Sequence, residues 1–253
     1  MNGFIAGFAT AERGALDALD PRARLLAALA AVLTAVALHS SPVLVVMLVL
    51  TFAAAPLAGL SPRRLVGRMA HIEGFLVLLA LLLPFTVDGT TLAQIGPLTI
   101  SRSGLERAIV LLLRANLSIL TLFILLSGLE PVRFAHALAK LGVPVKLVHL
   151  ILFSARYVTV IGGETARLSD ALRARAFRPG TSLHTLRTLA HFTGQILVRA
   201  LERAERVDEA MRCRAFDGRF ALVSDLQARP RDGLFLVGVA LTLSLAIVVD
   251  RLA

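Results

Sequence analysis

The chain has 253 residues, 57% hydrophobic and 17% charged, with a net charge of +10 and a mean hydropathy of +0.77. A water-soluble domain of this length needs more polar surface than that, so composition argues for the bilayer and for an all-α polytopic membrane protein. There is no Trp, one Tyr and one Cys, which leaves no stacking aromatics for nucleic acid and no thiol pair for a disulfide or cysteine-rich metal site.

Crossing a hydrocarbon core of ~30 Å takes ~20 mainly apolar residues. Residues 25–38 and 42–60 are uncharged and flank the turn-like His39, Ser40, Ser41 and Pro42, so they read as a transmembrane hairpin. Arg22 and Arg24 before an apolar run also suit a cleavable signal peptide; the second run follows at once, which favours a retained span. Further spans are expected at 72–87, 108–127 and 234–249, about five in all.

Arg22, Arg24, Arg63, Arg64 and Arg68 place the N-terminus and the 61–68 loop in the cytoplasm, beside anionic lipid. Residues 88–103 then fall outside with a single basic residue, Arg102. Residues 128–232 return inside with 17 Lys and Arg against 10 Asp and Glu. The expected organisation is an N-terminal membrane domain (1–127), a cytoplasmic helical coupling domain (128–232) and a C-terminal span (233–253), in the cell inner membrane. Glu73 and Arg114 are the charges nearest to span interiors; each lies within about two turns of an end, so snorkelling or a helix-to-helix pair is expected.

Within 128–232, Glu130 and Pro131 open a short amphipathic helix (Phe134, Leu138 and Leu141 on one side) that stops at Gly142, Val143 and Pro144. Residues 145–157 are apolar but interrupted by Lys146, His149 and Arg156, which suits a segment at the membrane surface or packed beneath the membrane domain. A long helix then runs to Phe177 and is stopped by Arg178, Pro179 and Gly180. A second runs from about Ser182 to Phe216 and is stopped by Asp217 and Gly218.

The ends of these two helices match. Residues 167–177 align with 206–216 at a shift of 39, six of eleven being identical, and both close on Arg-x-Arg-Ala-Phe. The first copy is Arg173, Ala174, Arg175, Ala176 and Phe177; the second is Arg212, Cys213, Arg214, Ala215 and Phe216. Helix capping explains arginine and alanine near a C-terminus but not the same order twice. Arg175 and Arg214 sit within a turn of the break, where a guanidinium can project into a pocket of carboxylates and carbonyls. Two equivalent plugs imply two equivalent sockets, hence a two-fold partner.

No phosphate-binding glycine loop, zinc-protease helix or nucleophile elbow occurs. The six histidines (His39, His71, His136, His149, His184 and His191) are scattered singly, against a metal site. The chain therefore reads as non-catalytic, with an integral-membrane lipid- or prenyl-modifying enzyme and a stand-alone permease as the competing readings.

These residues resemble the transmembrane coupling (T) component of energy-coupling-factor (ECF) importers, with the length and N-terminal stretch of the cobalt/nickel, CbiQ-like branch. That family ends two coupling helices on Ala-Arg-Gly signatures, to which Ala174, Arg175 and Ala176, and Cys213, Arg214 and Ala215, correspond; both arginines match and alanine replaces glycine in each. The 20–25 segment (Asp20, Pro21, Arg22, Ala23, Arg24, Leu25) and the 141–144 segment (Leu141, Gly142, Val143, Pro144) extend the likeness. The resemblance implies docking of Arg175 and Arg214 in grooves of two ATP-binding-cassette subunits, with Arg173, Phe177, Arg212 and Phe216 supporting. It also implies a separate substrate-binding membrane (S) subunit. ATP and magnesium belong to the partner ATPases, and no cofactor is expected in this chain.

Overall fold

The structure, a computed structural model, describes residues 15–87, 91–95, 98–216 and 229–252. Asp217 and Gly218, parts of the 88–103 loop, and the side chains of Arg63, Arg64, Arg68, His71 and Glu73 lie outside the described residues. The described residues are all-α apart from one small hairpin, in line with the composition. The helices are α1 (Pro21–Ala37), α2 (Ser41–Ala54), α3 (Pro62–Thr86), α4 (Arg102–Leu126), α5 (Pro131–Lys140), α6 (Val145–Ala174), α7 (Leu183–Cys213) and α8 (Pro230–Leu252). Strands β1 (Thr91–Ile95) and β2 (Leu98–Ser101) pair antiparallel between α3 and α4.

Local chemistry sets the boundaries. Asp20 caps α1 by accepting from the Arg22 amide at 2.9 Å, with Pro21 in the first turn where its missing N–H costs nothing. Ser101 and Ser182 cap α4 and α7 in the same way, accepting from the amides of Gly104 and Thr185. After α2, a 3-10 turn (Ala55–Ala58) ends on Gly59 at φ 70°, a left-handed residue that glycine adopts without strain.

The chain divides into two compact units, 1–130 with 225–253 and 131–224. In the first, α4 packs against α1, α2 and α3, while α8 packs against α1 and α2. The contacts are built from small residues that let backbones approach: Ala27, Ala28, Ala35, Ala55, Ala58, Ala108 and Ala246 are all buried. Leu44, Leu65, Leu117 and Leu120 fill the space between them. The outward faces are just as apolar, with Leu29, Leu33, Val49, Leu81, Leu82, Leu241 and Leu245 more than half exposed. Apolar residues both inside and outside are what a lipid environment demands of a helix bundle.

Three charged groups in this unit hold helix ends. Arg24 is 2% exposed and donates Nε to the Leu125 carbonyl at 2.7 Å. Its other nitrogens reach the Ser127 and Leu16 carbonyls and the Asp17 carboxylate. One guanidinium thus satisfies the orphan carbonyls at the end of α4. Arg114 donates Nε to the Leu38 carbonyl at 2.7 Å, closing the end of α1. The Asp250 carboxylate accepts from the His39 and Ser40 amides at 2.7–3.1 Å, at the start of α2.

In the second unit α5 packs on α6, and α6 meets α7. Residues 145–157 correct the sequence reading. They are not separate from the long helix that follows but form the first half of one 30-residue helix, α6. Lys146, His149 and Arg156 interrupt the apolar run only in linear order; at ~100° per residue they fall within one ~80° stripe of a helix. Helix α6 is therefore long and apolar enough to cross a membrane, as are Ser41–Ala58, α4 and α8. The first expected span lies in α1, of 17 residues, and the third in the shorter apolar stretch Gly74–Thr86 of α3.

Candidate functional site

The two Arg-x-Arg-Ala-Phe ends fold identically. Helix α6 stops at Arg175, Ala176 turns left-handed at φ 57°, and the Phe177 amide reaches back to the Leu172 carbonyl at 3.1 Å. The Ala176 amide donates to the Arg173 carbonyl at 2.9 Å. At the end of α7, Ala215 has φ 56°, Phe216 donates to Met211 at 3.1 Å and Ala215 to Arg212 at 3.0 Å. Both are Schellman caps, with 6→1 and 5→2 bonds satisfying carbonyls that a helix end otherwise leaves open. The half-buried pairs Phe177 with Leu172 and Phe216 with Met211 occupy the positions where such caps make an apolar contact.

The arginines divide into two roles. Arg173 pairs with Asp170 at 4.0 Å and Arg212 with Asp208 at 2.7 Å, each one turn back on its own helix. Arg175 and Arg214 occupy the C-cap positions, are exposed, and have no side-chain hydrogen bond or ion pair among the described residues. Ala174 and Cys213, the last helical residues, are exposed, and the Cys213 thiol is free. Each end thus presents one unengaged guanidinium on a stiff, capped stem.

A link between the two helices lies outside both Arg-x-Arg-Ala-Phe motifs. Glu164 of α6 accepts from Arg199 at 3.1 Å and from Arg203 at 3.0 Å, both on α7, and its side chain is only 15% exposed. Arg199 and Arg203 are four residues apart and so share a helix face, where they would repel without an anion between them. Glu164 and Arg203 are also 39 residues apart, the same offset that relates the two helix ends. Extending the repeat register three residues upstream of Arg167 and Arg206 would have flagged this complementary pair. Among the described residues no group of three or more His, Cys, Asp or Glu is placed to hold a metal ion.

Four helices able to cross a membrane, one of which, α6, pairs with α7 to present matched cationic ends, define a multi-pass membrane protein with a built-in two-helix module. The chain belongs to the cobalt transport protein family CbiQ, whose family model matches residues 13–222, and is thereby a transmembrane T component of the energy-coupling-factor transporter class.

Among its relatives, the cobalt transport protein CbiQ of Rhodobacter capsulatus is 29% identical over 158 residues, 62% of this chain and 63% of that one. The energy-coupling factor transporter transmembrane protein EcfT of Thermosediminibacter oceani is 24% identical over 210 residues, 79% of each chain. A putative ABC transporter ATP-binding protein of Bifidobacterium longum is 26% identical over 210 residues, 79% of this chain and 27% of its own length. The chain therefore spans less than two thirds of the Rhodobacter protein and about a quarter of the Bifidobacterium one.

Proposed function

We propose that this chain is the non-catalytic coupling scaffold of an ATP-driven importer of cobalt or nickel ions in the cell inner membrane. Two ATP-binding-cassette subunits, carrying ATP and magnesium, would engage the cytoplasmic ends of α6 and α7, and a separate membrane (S) subunit would capture the cargo. The observation that carries this reading is the pair of unengaged guanidinium groups, Arg175 and Arg214, on identical caps. A planar five-donor fork suits a groove lined by carboxylates and carbonyls, and two copies suit a two-fold partner. The arginine-rich ends of both helices, from Arg167 to Arg178 and from Arg199 to Arg214, support a cytoplasmic location for them. The relative named as an ABC transporter ATP-binding protein supports an ATPase partner, and the one named as a cobalt transport protein supports the cargo.

The test is the double variant Arg175→Ala, Arg214→Ala in the whole complex. Loss of a charge-assisted contact from an interface costs ~2–5 kcal/mol. Co-purification of the ATPases should fall sharply and ATP-dependent cobalt uptake should be lost. A double variant that assembles and transports like the parent refutes docking through these residues. Cobalt uptake into vesicles holding this chain alone would favour a stand-alone permease instead.

A further inference from the structure

The ion triad between α6 and α7 lies at a special place. Glu164 precedes Arg175 by eleven residues, and Arg203 precedes Arg214 by eleven. At 1.5 Å per residue each arm from contact to tip is about 16 Å. Residues 39 apart are equivalent positions of the repeat. Glu164 and Arg203 are such a pair, and they touch at 3.0 Å. Identical charges there would repel; with Glu in one copy and Arg in the other the contact is an attraction. Arg199, one turn back on α7, occupies the second carboxylate oxygen.

We propose that Glu164, gripped by Arg203 and Arg199, is the fulcrum of the two coupling helices, a positioning residue that fixes how they cross and so where both arginine tips stand. This rests on the coupling reading above. The triad joins α6 to α7 through two ion pairs on one carboxylate. With arms of about 16 Å, a change of about 10° in crossing moves each tip by about 3 Å. That is enough to take a guanidinium out of a hydrogen-bonding pocket. Equal arms make the displacement equal at both tips, so a symmetric pair of ATPases would drive, or feel, one shared motion.

The experiment uses the complete importer in proteoliposomes and reads cobalt imported per ATP hydrolysed. Glu164→Gln should leave the ATPases bound and hydrolysing, while import per ATP falls by about five-fold or more. The full charge reversal, Glu164→Arg with Arg199→Glu and Arg203→Glu, should restore most of the ratio, which a merely bulky or structural role would not. Spin labels at Asp170→Cys and Glu209→Cys, in a Cys213→Ser background, should give one distance distribution with Glu164 and a broader one with Gln. This measurement needs only the purified chain, so it holds even if a variant complex assembles poorly. An unchanged ratio in Glu164→Gln, a failed rescue, or unchanged distances overturns the fulcrum. Failure of the coupling reading itself would show differently, as a parental preparation in which ATP hydrolysis supports no import.

Discussion

Ala176 and Ala215, one at the end of each coupling helix, share a left-handed backbone of φ 57° and 56°. Among the described residues they are the only non-glycine residues with positive φ. An L-residue with a Cβ is held there at a cost of ~1–2 kcal/mol, recovered in part through the two cap hydrogen bonds. Alanine is the smallest side chain that can bear that cost, and a phenylalanine follows it in both copies to cover the last turn.

Replacing either alanine by glycine should therefore tighten the cap. Ala176→Gly and Ala215→Gly should each slow amide exchange at Phe177 and Phe216, corresponding to about 0.5–1 kcal/mol of local stability. Ala176→Val should act in the opposite direction, because a β-branched residue tolerates positive φ worst. Hydrogen exchange read by mass spectrometry on the 167–178 and 206–217 peptides checks both.

Arg24 should be among the most sensitive single residues in the membrane unit. Arg24→Met leaves the Leu125 and Ser127 carbonyls and the Asp17 carboxylate without their shared donor, a loss of about 3 kcal/mol. Arg102→Gln removes an ion pair in which both side chains are about two-thirds exposed, and should move the melting temperature in detergent little. Equal melting temperatures for the two variants would contradict the buried latch.

The 38–40 turn is held from two sides, by Arg114 of α4 and Asp250 of α8. Asp250→Asn keeps the shape but weakens an acceptor of the His39 and Ser40 amides, costing about 1 kcal/mol. Combining it with Arg114→Met should cost more than either alone, since both act on one turn. A double-mutant cycle on thermal stability reads the coupling.

Two glycines should respond in opposite directions to alanine. At Gly104 a Cβ would lie 2.7 Å from the Leu83 oxygen and the Pro84 Cα, both backbone atoms, so Gly104→Ala should destabilise by about 2 kcal/mol. At Gly194, inside α7, nothing lies within 4 Å, so Gly194→Ala should stabilise by about 0.5–1 kcal/mol. Melting curves of the two variants separate close packing from helix propensity.

Much of this molecule was legible because bilayer physics writes in long strokes. The hairpin of α1 and α2 and the end of α5 before Gly142 follow from apolar length and from proline and glycine punctuation, whereas the two long helices, expected to reach Phe177 and Phe216, stop at Ala174 and Cys213 because their last turns are Schellman caps. The matched helix ends were legible from order alone, although sequence could not say that both alanines turn left-handed. What escaped was interrupted or long-range. Three polar residues on one stripe looked like a broken span, so α6 was cut in two. Glu164, Arg24 and Asp250 are each ordinary in their local sequence. Their roles come from partners 35 to 211 residues away, which periodicity cannot reach.

The bond between the Asp20 amide and the Asp232 carboxylate, 2.8 Å long and buried, joins positions 212 residues apart. Ribosomes add ~5–20 residues per second, so α1 exists for about 10–40 s before that partner has been made. Through the same interval Ala27 and Ala28 lack the cover that Phe235, Leu236 and Val239 of α8 provide. Helix α1 is thus completed by α8, whose Asp232 is made 212 residues after Asp20. Until then the nascent bundle carries an open seam, and closing it is a signal that synthesis has passed residue 239.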